Sequence, residues 1–253
     1  MKPVVPAMTR AGDWLLAGAL LLAASSASAA DIRRTADGRP DLSGVWQTLS
    51  PADRDLLPHA ARKDAPANLG VVEGGEIPYQ PWAAAKKADN FAKRETADPS
   101  GKCFMPGVPR VNYAPYPFQI FQSARGVTVL YEYAHSVRQI YTNGSRHPDG
   151  HIDWWLGDSR GHWEGDSLVV DVVDFNDETW LSHAGDFHSD QLHVVERYTP
   201  LDADHIRYEA TLEDPKVFTR PWKIGLVLYR RIEPGVQLLE NDCYAFDYER
   251  FYP

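Results

Sequence analysis

The chain has 253 residues, with 26 Lys and Arg against 35 Asp and Glu and a formal net charge of −9. That acidic balance argues against nucleic acid and anionic membranes as partners, and the length is enough for one large domain with a real core. The absence of a nucleotide-binding glycine pattern and of a Gly-x-Ser-x-Gly elbow points away from organic cofactors and from serine nucleophiles.

The N-terminus reads as an export signal. Lys2 and Arg10 give a positive start, residues 14–23 an apolar core, and residues 26–30 small side chains suited to cleavage before Asp31. The apolar core is shorter than the ~20 residues that a bilayer span needs. The expectation is a leader over residues 1–30 and a periplasmic or secreted chain with no membrane attachment after cleavage. Residues 31–253 then form a single β-barrel domain. Cys103 and Cys243, the two cysteines of such an exported chain, are expected to form a disulfide.

Residues 41–47 (DLSGVWQ) look like a short strand. Residues 50–110 are rich in Pro, Ala, Asp and Lys and carry one helix candidate, residues 82–93, with Pro81 in its first turn. Pro106, Pro109, Pro115 and Pro117 then forbid regular structure. Residues 31–117 are therefore an irregular extension wrapped on the domain. From Phe118 the pattern changes to period-two alternation, as in Val127, Val129, Tyr131 and Tyr133. Residues 136–142 continue it and end at Asn143–Gly144, a hairpin signal. Further runs fall at 152–156, 167–173, 192–199, 205–212 and 222–232. Seven or eight closely spaced strands predict an all-β, antiparallel barrel, with a β-sandwich as the alternative.

Gly44-Val45-Trp46, followed by the meander and by Arg250-Phe251 near the end, resembles the first-strand Gly-x-Trp and the late Arg-aromatic pair of lipocalins and other calycins. The 50–117 stretch departs from that family. The resemblance implies a barrel that carries a small hydrophobic ligand. Residues 40–46 (PDLSGVW), 163–171 (WEGDSLVVD), Asp214-Pro215 and Arg220-Pro221-Trp222 are similar to a large group of secreted bacterial proteins. That likeness implies export and a shared architecture, not a mechanism.

The chemistry concentrates in residues 182–197, where His183, His188 and His193 stand among Asp186, Asp190, Glu196 and Arg197. Imidazole beside carboxylate is the usual material of proton transfer and of metal binding. A spacing of five puts strand neighbours on opposite faces, so a shared site requires a loop. No cofactor is expected. If a divalent metal binds, it does so on His188 with Asp186 or Asp190. For acid–base chemistry His188 is the leading base or acid, with His183 and His193 beside it. Asp186 or Glu196 would orient it, and Arg138 or Arg197 would stabilise a developing oxyanion. Arg146-His147-Pro148-Asp149-Gly150-His151 is a second polar cluster, either a solvated loop or a group facing His188. Tyr131, Tyr141 and Trp155, with His147 and Arg197, are candidates for the wall of a small-molecule pocket.

The expected function is an exported, cofactor-independent acid–base enzyme (lyase, dehydratase, isomerase or hydrolase) acting on a small hydrophobic or aromatic molecule in a barrel pocket. The alternative is a carrier without activity. Convergence of His183, Asp186, His188 and Glu196 in one cavity favours the enzyme; their dispersal over the outer surface favours the carrier.

Overall fold

The alternation that begins at Phe118 supplies eight of nine strands, and the computed structural model closes them into one barrel. It describes Met1, residues 32–241 and Cys243. The expected leader and the Arg250-Phe251 pair therefore lie outside the described residues, Met1 apart. The strands are β1 (Gly44–Thr48), β2 (Phe118–Ser123), β3 (Gly126–Tyr131), β4 (Val137–Tyr141), β5 (Asp158–Glu164), β6 (Ser167–Val173), β7 (His193–Pro200), β8 (His205–Glu213) and β9 (Trp222–Arg230). Closure comes from β1, which pairs with β2 on one side and β9 on the other. No sheet edge is left open, which removes the aggregation hazard of an unpaired strand. The sandwich alternative does not apply.

Three expectations about the strands need correction. The barrel is mixed, because β4 and β5 run parallel, paired at Ile140–Ser159 and Tyr141–Arg160. Asn143–Gly144 does turn, with Gly144 at φ 76° and Ser145 N–H donating to Asn143 Oδ1 at 3.0 Å, yet it leads into no hairpin. The chain instead returns along residues 142–157 and enters β5 in the same direction as β4. Residues 152–156 are not a strand; Trp154 makes a single bridge to Phe175. The strand is residues 158–164, whose charged outer face hid its alternation. The seam also demands glycine: a Cβ at Gly161 would lie 2.9 Å from Ile140 Cγ2, inside normal contact.

The barrel is packed, not hollow. Trp46, Phe118, Ile140, Leu168, Tyr208 and Leu228 are all buried within it. Trp46 Nε1 donates to Leu42 O at 2.8 Å, and the Arg230 guanidinium lies 4.2 Å from the Trp46 ring. Among these apolar side chains sits one ion pair, Arg138 with Glu196, at 1% and 0% side-chain exposure. Arg138 Nε donates to Ser159 Oγ at 2.9 Å. Glu196 Oε1 accepts from Asn112 Nδ2 at 2.8 Å, Tyr208 OH at 2.8 Å and Tyr198 OH at 3.0 Å. Tyr131 OH closes the network on Asn112 Oδ1 at 2.8 Å. A buried charge is tolerable only when paired and hydrogen-bonded in this way.

Asn112 belongs to the extension, which lies across one end of the barrel. Its helix α1 (Pro81–Ala97) starts at the proline the sequence marked and runs beyond the expected residue 93. It packs closely on the loop before β7. There Gly185 has φ +85°, and a Cβ would meet Asn90 Cβ at 2.7 Å and Phe91 N at 2.8 Å. Tyr79 against Phe218, ring centroids 5.3 Å apart, and Gln80 N–H to Val217 O at 2.8 Å fasten the segment before α1 to the β8–β9 end. The expected disulfide is present: Cys103 and Cys243 are bonded, their Cα atoms 5.3 Å apart, and join the extension to the far end of the chain. Among the described residues no helix is long and apolar enough to cross a membrane.

Arg138→Met is expected to lower the unfolding free energy by about 3–5 kcal/mol, because it leaves Glu196 buried and uncompensated. Adding Glu196→Gln, which keeps the acceptor for Asn112 and the tyrosines but removes the charge, should recover most of that loss. Guanidinium unfolding of the two variants decides the matter. A double variant no more stable than the single one contradicts the pairing account.

Candidate active-site cleft

The loop 181–190 holds the first of the three histidines where the extension meets the barrel. Asp186 clamps the loop from inside. Its Oδ1 accepts from Tyr79 OH at 2.8 Å and its Oδ2 from Ser182 Oγ at 2.5 Å, while its carbonyl accepts from Leu181 N–H at 2.6 Å. Burial pushes the Asp186 carboxyl up, against the opposing pull of Lys87, whose Nζ lies 3.9 Å away. These hydrogen bonds to Tyr79, Ser182 and Leu181 hold the loop.

His183 N–H donates to Asp53 O at 2.8 Å, which fixes the backbone. The imidazole Nδ1 lies 2.9 Å from Asp98 Oδ2. Nε2 is buried and has no hydrogen-bond partner among the described residues; Glu95 Oε1 stands 3.9 Å from it. Asp98 follows the last residue of α1. Its Oδ1 caps the next turn by accepting from Ser100 N–H at 3.0 Å. Arg110 grips Asp98 with both terminal nitrogens, at 2.8 and 2.9 Å, and donates from Nε to Asp53 Oδ1 at 2.8 Å. Burial alone would raise the Asp98 carboxyl. The His183 hydrogen bond and the Arg110 charge outweigh it and hold the group well below the usual carboxylate range. Asp98 is therefore an anion, which accepts only, so Nδ1 of His183 is the donor of this hydrogen bond, and in the neutral ring Nε2 is the nitrogen with the lone pair.

His183 is among the residues that line a cleft of about 400 Å³ between the extension and the barrel end, with Arg54, Glu95, Pro106, Tyr116, Tyr133 and Cys243. The Tyr116 and Tyr133 rings, with centroids 5.2 Å apart, give it an aromatic wall. Burial pushes the Tyr133 hydroxyl up to about 12, so it stays protonated and donates to Ser100 O. A carboxylate-oriented imidazole with one free nitrogen can take a proton from water or substrate and return it. The ligand atoms of Asp64, Glu95 and His183 also lie within 4.8 Å of one another, the one such group that could hold a metal ion among the described residues.

The other expected site residues are dispersed. His188, the expected base, is 2% exposed; its Nε2 is 2.6 Å from Thr179 Oγ1 and its Nδ1 2.9 Å from Ser189 O. Neither nitrogen is left for a substrate or a metal. Asp190 pairs with Lys216 at 2.7 Å, so the expected ion on His188 with Asp186 or Asp190 has no coordination sphere. Glu196 and Arg138 are sealed in the barrel with Tyr131. His193 is on the outer face, its Nε2 2.5 Å from Asp171 Oδ1; His147 reaches the other Asp171 oxygen at 3.5 Å and Asp158 at 2.6 Å. His147 thus faces His193 through Asp171, not His188. Arg197 pairs on the outside with Glu164 at 2.9 Å. The convergence expected of His183, Asp186, His188 and Glu196 does not occur, and among the described residues the barrel interior is filled by buried side chains.

Tyr141 and Trp155 do meet. They line a second cleft, of about 360 Å³, over the β4–β5 seam, with Trp154, Met105, Leu156 and Asp158. Phe104 stacks on Trp155 at 5.1 Å. Sequence reading missed Asp98, Arg110, Glu95 and Asn112, which all come from the extension. The one local signal was Asp98-Pro99, a capping residue and a helix breaker in succession.

Compared with family models, with curated proteins and with solved structures, the chain matches none.

The two displaced histidines titrate in opposite senses. The Asp171 hydrogen bond raises His193 above the ordinary value, although partial burial opposes it; burial depresses His188. The stability contributed by His193 is complete below ~6.5 and is lost as pH rises through its folded value; that of His188 is present above ~6.5 and is lost as pH falls toward its folded value. Histidine NMR between about pH 5 and 8 should show His193 still protonated and His188 already neutral at pH 6.5. In parallel, His193→Gln should flatten the fall in unfolding midpoint on the alkaline side. An unchanged alkaline slope removes the Asp171–His193 pair from the account.

Proposed function

We propose that the protein is an exported enzyme that activates water at His183 and adds it to a small, partly aromatic molecule held in the cleft, as a hydrolase or hydratase. The observation that carries this reading is the His183 side chain: Nδ1 is fixed on the anion of Asp98, and Nε2 is unbonded beside a 400 Å³ cleft. Export is supported by the leader pattern of residues 1–30 and by the Cys103–Cys243 disulfide. A water at Nε2 gives up its proton as its oxygen attacks, Asp98 stabilises the imidazolium, and the proton then passes to the departing group. Tyr116 and Tyr133 offer faces on which a flat substrate can lie.

A second reading, a carrier, is favoured by the tryptophan cleft over the β4–β5 seam. Trp154 and Tyr141 are partly exposed there, and the polar groups beside them are already paired, Arg138 with Glu196 and Ser159, and Asp158 with Arg160.

The mature, disulfide-bonded protein should hydrolyse 4-nitrophenyl esters, and His183→Gln should lower kcat by about 10²–10⁴-fold with an unchanged fold. Ester hydrolysis equal in the variant and the wild type excludes His183. A protein that cleaves no aryl ester but binds one, with quenching of tryptophan fluorescence, turns the assignment to the carrier.

A further inference from the structure

We propose that His183 Nε2, Glu95 and Asp64 form a divalent transition-metal site at the edge of the cleft, whose lining includes the first two. The inference rests on the reading of His183 as the reactive nitrogen and names what that nitrogen holds.

The geometry comes first. The three ligand atoms lie within 4.8 Å of one another, and His183 Nε2 is 3.9 Å from Glu95 Oε1. Metal arms of about 2.0–2.2 Å at a tetrahedral angle put neighbouring ligands about 3.3–3.6 Å apart. Between His183 and Glu95 the remaining difference is a small movement of Glu95, whose side chain is 67% exposed and would exchange its 3.9 Å contact with Arg94 Nε for the ion.

The imidazole supplies the independent observation. His183 is 8% exposed, and Nε2 is buried without a hydrogen-bond partner among the described residues. A buried polar atom in that condition costs free energy that a ligand would offset. Its other nitrogen is held by a carboxylate, the arrangement that fixes the tautomer and orientation of metal-binding histidines. Asp98 thus serves as the orienting group.

Asp64 is set in place by arginines. Arg94 Nε donates to Oδ2 at 2.6 Å and Arg62 Nε to Oδ1 at 3.2 Å. A carboxylate has about four lone-pair sites, so both oxygens can hold an arginine while one also faces an ion. Five carboxylates, of Asp53, Asp55, Asp64, Glu95 and Asp98, stand against the guanidiniums of Arg54, Arg62, Arg94 and Arg110, an excess of negative charge that suits a cation.

One imidazole and two carboxylates fit zinc or a neighbouring transition metal better than magnesium, which prefers oxygen ligands in an octahedron. Three protein ligands leave a position for water on the cleft side. The proton-acceptor role of His183 belongs to the metal-free protein; an ion bound at Nε2 would take over the activation of water by lowering the pKa of a water that it holds.

The test is zinc titration by calorimetry of the mature, disulfide-bonded chain after removal of metals, with magnesium as the contrast. The wild type should bind one equivalent of zinc and no magnesium. Glu95→Gln, an exposed change that leaves the fold alone, should weaken zinc at least about tenfold, and His183→Asn more. His193→Gln, at the outer-face pair, should bind like the wild type. Absence of zinc binding at ~100 µM overturns the site. So does binding that survives Glu95→Gln or is lost in His193→Gln. If zinc is not bound but His183→Gln still abolishes ester hydrolysis, the ion falls and the proposed function stands. If zinc is bound but hydrolysis ignores that substitution, the ion site stands and the function falls.

Discussion

Three consecutive buried residues, Arg110, Val111 and Asn112, tie the barrel interior to the cleft. Asn112 turns inward and donates to Glu196, whose charge Arg138 neutralises. Arg110 turns the other way and holds Asp53 and Asp98. Each network contains charges that water cannot reach, and each is tolerable only while complete. The 3₁₀ turn that carries these residues therefore fixes the extension to the barrel and fixes Asp98 under His183. The geometry of the cleft follows from the closure of the core.

That link explains why the cleft lies outside the barrel. Aromatic and branched side chains from the strands fill the interior, and the Arg138–Glu196 pair with its tyrosines takes the remaining space. What the extension adds is a second wall at one end. Between that wall and the loop 181–190 there is room for a small molecule. Asp186 fastens the loop from below, and Gly185 lets α1 approach its backbone. His183 then sits with one nitrogen committed and one open.

The barrel was legible because its inner face imposes a strict period of two on most strands. β7 shows it in Val194, Glu196 and Tyr198, all buried, against partly buried neighbours. β5 escaped because Asp158, Arg160, His162 and Glu164 read as a polar loop, and Gly161 breaks the apolar series at the place where the seam needs no side chain. Residues 152–156 carried the apolar run that a strand requires, yet face the second cleft. The histidine cluster was legible as a concentration of chemistry, and its dispersal was not. The loop and the start of β7 place His183 at a cleft, His188 under Phe175 and His193 on the outside. Asp98 and Arg110 stand in a stretch without periodicity, where only the folded chain reveals that they meet. Tyr141 and Trp155 line one cleft because both flank the crossover that brings β5 alongside β4 in parallel.

The account depends on the protonation of a single imidazole, which nitrogen-15 NMR of the mature protein labelled in histidine reads directly. At pH 8 and free of metal, His183 should show a protonated Nδ1 and a bare Nε2, fixed in that tautomer by Asp98, and zinc should shift the Nε2 signal alone. A His183 that averages rapidly between tautomers, as exposed imidazoles do, or that carries its proton on Nε2, contradicts the account.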